Sequence, residues 1–200
     1  MLFRSQPGTL YTASSGDGGH GVQYPAVSPD VIAVGGTTLA GCGGTSCAGF
    51  THEKAWSGSG GGVSRVELAP AFQTGYTGPV HGSMTIAALT HGLRGIPDVA
   101  FDANPSTGVS VYDSTRYQGQ TGWFTLGGTS VGAANWAGIL AAGAAAGQAV
   151  LQGRAAIYGA GYATSLRDIV RGRNGRCRRA CRAGVGYDLV TGLGSPVNYP

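Results

Sequence analysis

The chain has 200 residues, of which 42% are hydrophobic and only 11% are charged, with a formal net charge of +4. That length and composition suit one folded domain with a real core, and exclude a disordered or collagen-like chain. The 38 glycines cluster, as in Gly60-Gly61-Gly62 and Gly127-Gly128, so tight loops and close backbone approaches are expected of them, not a linker.

In chain order, Met1–Pro7 lacks a basic stretch followed by an apolar one, so no signal peptide is expected there. Leu10–Ser14 reads as a short strand ended by the turn Ser15-Gly16-Asp17-Gly18-Gly19. Val31-Ile32-Ala33-Val34 is a continuous apolar run stopped by Gly35-Gly36, the pattern of a strand covered on both faces of a parallel sheet. Residues 41–62 are glycine-rich and read as a long surface loop. Pro97–Ala100 and Val109–Tyr112 are further strand candidates. Trp123–Leu126 leads through Gly127-Gly128-Thr129-Ser130 into a long run of small apolar residues that reads as a buried helix. Asn135 and Gln148 interrupt that run, and alanine and glycine dominate it, which argues against a membrane span. From Asp168 onward the chain reads as loops. No repeat or linker divides it, so residues 1–200 are expected to form one layered α/β unit, with its chemistry at strand C-termini.

The basic charge is local. Arg167, Arg171, Arg173, Arg176, Arg178, Arg179 and Arg182 share a segment whose one acid is Asp168, and the rest of the chain is slightly acidic. Such a loop can bind nucleic acid, but no aromatic platform or reader motif accompanies it, so a solvated loop is expected and no nucleic-acid partner. The cysteines form two short pairs, Cys42/Cys47 and Cys177/Cys181. Each pair can close a small disulfide in an oxidising compartment, and zinc ligation is the rival reading.

Ser130 can be a nucleophile at a helix start, where free N–H groups and the dipole favour developing negative charge. It can equally be an N-cap. Asp17, taken alone, reads as a turn former. Taken together, the segments are more specific. Ser14-Ser15-Gly16-Asp17, Tyr24-Pro25-Ala26, Val34-Gly35-Gly36-Thr37-Thr38, Ser59-Gly60-Gly61-Gly62-Val63-Ser64, Arg94-Gly95-Ile96-Pro97-Asp98-Val99, Gly127-Gly128-Thr129-Ser130 and Gly184-Val185-Gly186-Tyr187-Asp188 occur in the order seen in the sedolisin family. The chain resembles the C-terminal part of these serine-carboxyl peptidases.

The resemblance implies a subtilisin-like three-layer domain with a mostly parallel sheet, lacking its N-terminal portion. It implies an acid-active endopeptidase of peptide or protein substrates, secreted, with Ser130 as nucleophile and Asp17 in the oxyanion hole. Because only a neutral carboxyl group can donate a hydrogen bond, Asp17 would work in acid. The resemblance also implies one calcium ion held by Asp168, Ile169, Gly184, Gly186 and Asp188; pairing of the two aspartates with nearby arginines is the rival reading.

The family's base is a glutamate followed four residues later by an aspartate, well upstream of the segment matching Asp17. Here Ser57 follows Glu53 and Ala71 follows Glu67 at that spacing, so the dyad is missing from this chain. His20, His52, His81 and His91 lie in no recognisable triad setting. The chain alone is therefore expected to be inactive, a fragment or one half of a split enzyme, and aggregation-prone through open sheet edges. A non-catalytic, calcium-stabilised binding module on the same scaffold is the alternative.

Overall fold

The computed structural model describes residues 9–41, 52–145, 154–159 and 165–197. The centre is strand β2 (Ile32–Ala40). Three strands pair with it: β1 (Thr12–Ser14) in parallel, β6 (Val99–Asp102) in parallel and β3 (His52–Ala55) antiparallel. Val34 pairs with both Ser14 and Val99, and Thr37 with both Ala55 and Asp102. So β1 and β3 occupy one edge of β2 in succession while β6 runs along the other. The sheet is mixed, with its two parallel pairings where the apolar runs predicted them.

Both faces of β2 are covered, as its continuous apolar run requires. Ile32 and Val34 pack into a cluster with Trp136, Leu140 and Tyr187, while Ala33 joins Val31, Val27 and Ile96 on the other face. Trp136 belongs to the long helix α3 (Thr129–Ala145), is fully buried, and donates from Nε1 to the carbonyl of Ala100 at 3.0 Å. That bond fixes α3 across the sheet next to β6. Residues 146–151 of the expected helix lie outside the described residues.

Two expectations are corrected. Gly35-Gly36 does not end the strand. A side chain there has no room: a Cβ on Gly36 would meet Ala103 Cβ at 2.8 Å and Trp56 at 2.9 Å, so glycine lets β2 continue through a crowded crossing. Residues 41–62 are not simply a surface loop either. β3 lies within them, and Ser59–Gly62 is buried. β4 (Gly62–Leu68) then pairs antiparallel with β5 (Leu93–Ile96), with α1 (Ala71–Thr74) and α2 (Ile86–Thr90) between them. The Thr85 hydroxyl caps α2 by accepting from Ala88 N. β7 (Val109–Tyr117) and β8 (Gln120–Leu126) form a hairpin whose Trp123 is 73% exposed. A short helix α4 (Arg154–Ile157) and the strand pair β9 (Leu166–Arg167) and β10 (Ser195–Pro196) complete the described elements. Residues Arg178–Cys181 make one 3₁₀ turn, closed by the Cys177–Cys181 disulfide. Cys42 and Cys47 lie outside the described residues.

The Arg94–Asp98 motif forms a buried ion pair. Arg94 lies on β5 and is fully buried; its Nη1 and Nη2 donate to the two Asp98 oxygens at 2.6 and 2.5 Å. Asp98 also accepts from Ala33 N at 2.7 Å and from the Tyr158 hydroxyl. Burial works against the guanidinium charge, but Asp98 beside it outweighs that, and Arg94 stays protonated. Breaking such a pair strands a charge in the core. Asp98→Ala is expected to cost about 3–5 kcal/mol in urea denaturation, and Arg94→Met combined with Asp98→Leu to cost clearly less than Asp98→Ala alone. An Asp98→Ala variant melting with the parent would refute this account.

Candidate active site

Asp17 and Ser130 come together beside Gly128, between the end of β1 and the start of α3. Asp17 lies three residues beyond β1 and Ser130 is the second residue of α3; both are exposed. The Thr129 backbone N–H and Thr129 Oγ1 both donate to Asp17 Oδ1, at 2.7 and 2.8 Å. Thr129 Oγ1 also accepts from Gly16 N at 3.1 Å, and Thr129 is fully buried. One threonine thus ties the start of α3 to the loop after β1. Gly128, at φ +100, completes the join. A Cβ there would meet Asp17 Oδ2 at 2.9 Å and Ser130 Oγ at 3.3 Å, so those two atoms flank the same point in space.

Asp17 Oδ2 and Ser130 Oγ have no hydrogen-bond partner among the described residues. Ser130 is not an N-cap, since α3 already begins at Thr129. Among the described residues no carboxylate or imidazole hydrogen-bonds to its hydroxyl. Glu53 is committed elsewhere: it accepts from Thr37 Oγ1 at 2.5 Å, Ser195 Oγ at 2.6 Å and Arg167 Nη1 at 3.3 Å. His20 lies three residues past Asp17 but turns toward the arginine-rich segment, where its ring nitrogen and the sulfurs of Cys177 and Cys181 fall within 4.8 Å of one another. With those sulfurs joined as a disulfide, the zinc reading loses the two thiolates of the Cys177/Cys181 pair.

Sequence reading missed Ser59 and Thr129 as organising residues. Ser59 Oγ accepts from Gly36 N at 2.8 Å and donates to Val190 O at 2.9 Å, linking the central strand to the C-terminal loop. Both sit in quoted motifs, yet a serine or threonine beside glycines reads as an ordinary turn residue, and no local signal separates the two cases.

The predicted metal ligands also converge. Asp168 Oδ2 accepts from Gly186 N at 2.8 Å. Asp188 accepts from Gly184 N at 3.0 Å, Val190 N at 2.9 Å and Thr191 N at 2.8 Å. Ile169, Gly184 and Gly186 are buried, yet none of their carbonyl oxygens accepts a hydrogen bond among the described residues. The Gly186–Asp168 and Gly184–Asp188 hydrogen bonds hold these loops against each other. The rival ion pairing is not seen. Among the described residues the ion pairs join Arg94 to Asp98, Arg154 to Asp30 and Arg167 to Glu53. Burial pushes Asp168 up, against the Gly186 hydrogen bond, and pushes Asp188 up to about 7 against its four hydrogen bonds.

No protein-family model matches the chain. It is similar to sedolisin of Pseudomonas sp. (strain 101), 31% identical over 94% of this chain and 33% of that protein. Kumamolisin of Bacillus sp. (strain MN-32) is 34% identical over 90% of this chain and 32% of its own length. Xanthomonalisin of Xanthomonas sp. (strain T-22) is 30% identical over 88% of this chain and 21% of its own length. Among solved structures, Pseudomonas sedolisin complexed with two molecules of pseudo-iodotyrostatin aligns at a TM-score of 0.64 and 31% identity, over 94% of this chain and 53% of that one. Sphericase and the S41 psychrophilic protease share the fold at TM-scores of 0.51 and 0.52, with 19% and 22% identity. The chain spans a third or less of the length of the curated relatives it matches.

A pH dependence follows from Asp188. Its native form binds a proton more tightly than the ordinary value of 3.8 in the unfolded chain. With chelator present, stability should therefore fall as pH rises from 3.8 toward about 7, and Asp188→Asn should flatten that slope. Urea midpoints of the two proteins across that window check the sign; a parent slope that rises or stays flat refutes it.

Proposed function

Because the chain belongs to the sedolisin family of serine-carboxyl peptidases and corresponds to the C-terminal part of its members, we propose that it carries the acyl-transfer groups of an acid endopeptidase site. Ser130 is the nucleophile: its exposed hydroxyl attacks the peptide carbonyl carbon once a base accepts the proton. Asp17, protonated, donates to the developing oxyanion, and the Ser130 N–H, which has no intrahelical acceptor, donates beside it.

One observation carries this reading. Asp17 Oδ1 is filled by two donors from Thr129, so a proton on the carboxyl group resides on Oδ2. That is the oxygen on the Ser130 side of Gly128. The geometry suits a neutral, donating acid.

The base and its orienting carboxylate come, in this reading, from a segment outside this chain. None of the described glutamates or histidines reaches Ser130, and the relatives are longer than this chain. The Cys177–Cys181 disulfide fits the secreted location such an enzyme would have.

Calcium is part of the proposal. Asp168 and Asp188 would give carboxylate oxygens, and Ile169, Gly184 and Gly186 their orphan carbonyls. A hard dication accepts that oxygen set. Its contribution is to hold the loop and keep Asp188 ionised; no chemistry on the substrate passes through it.

The direct test joins the chain to an upstream segment bearing the Glu-x-x-x-Asp pattern and follows turnover of a denatured protein in acid. Ser130→Ala should abolish turnover, and Asp17→Ala should lower kcat about 10²–10³-fold, the usual effect of removing one oxyanion donor. A peptide aldehyde should label Ser130 in the joined protein. No labelling with the segment restored would sink the peptidase reading and leave a non-catalytic module. Separately, calcium should raise the melting temperature of the parent and not of Asp188→Asn. Equal shifts in both would remove Asp188 from the ligand set.

A further inference from the structure

Half of the residues from Arg171 to Arg182 are arginine, and none is acidic. The fold does not leave this segment loose. Arg173 and Arg182 face each other across an antiparallel bridge, and Asn174 N donates to Cys181 O at 3.1 Å. The Cys177–Cys181 disulfide closes the turn between them. The body of the protein holds the segment from outside. Ala55 N donates to Arg171 O at 2.8 Å, His20 N to Asn174 O at 2.8 Å, and Asn174 Nδ2 to Ser59 O at 2.9 Å. Asn174 and Cys181 are buried, while the arginines are exposed. The segment is a pinned ribbon that presents its charges to solvent.

Those charges lack counter-charges. Among the described residues the ion pairs are Arg94–Asp98, Arg154–Asp30 and Arg167–Glu53, and none includes the ribbon. Arg179 donates to Gly82 O at 2.7 Å; the side chains of Arg171, Arg173, Arg176, Arg178 and Arg182 make no hydrogen bond among the described residues. Like charges directly opposite one another destabilise a strand pair, so Arg173 and Arg182 cost the fold stability where they stand. A bound polyanion would offset that cost.

We propose that the ribbon binds a sulfated polysaccharide and so holds the protein on a sulfated matrix. The guanidinium charge persists at every working pH. In acid a carboxylate ligand loses its charge, whereas a sulfate ester, the anion of a strong acid, keeps it. The planar guanidinium fork engages the free oxygens of such a group in pairs. A nucleic acid fits less well, because the ribbon has no aromatic side chain on which bases could stack, and its disulfide belongs to an oxidising compartment. Binding is independent of the Ser130 chemistry; acid operation enters only in the choice of sulfate over carboxylate.

The test titrates fluorescent dextran sulfate, and unsulfated dextran beside it, with the full chain by anisotropy at about pH 4 and about pH 7, on either side of carboxylate titration. The sulfated polymer should bind at both pH values and the plain one at neither. Between about 50 and about 200 mM salt the affinity should fall on the order of a hundredfold, as for about four neutralised charges. R173Q/R182Q and R176Q/R178Q should each weaken binding about tenfold, while R65Q/R116Q, which removes the same charge from exposed sites on β4 and β7, should change it less than about twofold. The two ribbon variants remove separate pairs, so a folding fault in one, seen as a lowered melting temperature, leaves the other to decide. Absence of binding to dextran sulfate at low salt overturns the inference. So does an equal loss in all three variants, which would report net charge alone. Binding that vanishes in acid also overturns it, since neither partner loses charge there. A single-stranded oligonucleotide of equal charge that binds more tightly than dextran sulfate overturns it in favour of a nucleic-acid surface.

Discussion

The site is organised by a place where there is no room for side chains. Ser59, Gly60 and Gly61 thread between the loop after β1 and the loop before β10. A Cβ on Gly60 would meet Ser15 O at 2.0 Å, and one on Gly61 would meet Leu189 O at 2.1 Å. Backbone therefore touches backbone on both sides. Gly60 N donates to Gly16 O at 2.7 Å, and Gly61 and Gly21 exchange a pair of bonds at 2.9 Å. Ser59 Oγ bridges Gly36 and Val190. Central strand, Asp17 loop, Asp188 loop and arginine segment all hang from these three residues.

From that junction the rest follows in order. The Asp17 loop is held at a fixed height above β2, so Thr129 at the head of α3 can reach Oδ1 with two donors. α3 is in turn fixed by the Trp136 bond to Ala100. The hydroxyl of Ser130 then projects, exposed, from a helix whose position is set by the buried Thr129 and Trp136. This is how a rigid scaffold places exposed chemistry on a loop and a helix end.

Much of this was legible in the residues, and the limits are physical. The apolar run of β2 announced a doubly covered strand, and its parallel pairings with β1 and β6 bear that out. The family motifs named Asp17 and Ser130, which flank Gly128, and Asp168 and Asp188, whose carboxylates accept from Gly186 N and Gly184 N. Glycine misled where its role is tertiary: at Gly35-Gly36 it permits a crossing, and the neighbours that require it, Ala103 and Trp56, are distant in sequence or order. β4 and β5 were missed because Arg94, a charged residue, stands in a strand; only its buried partner Asp98 makes that tolerable. Thr129 carries no local signal of its role, since a hydroxyl's partners are invisible until the chain folds.

The three-residue junction has a consequence for how the molecule can change over generations. Gly60 and Gly61 sit a carbon's width from Ser15 and Leu189, which belong to different loops with different tasks. A drift in the backbone of either loop would press on the other through the same glycines. The two loops should therefore covary across relatives, and a change that reshapes the Asp188 loop should be hard to select without moving Asp17.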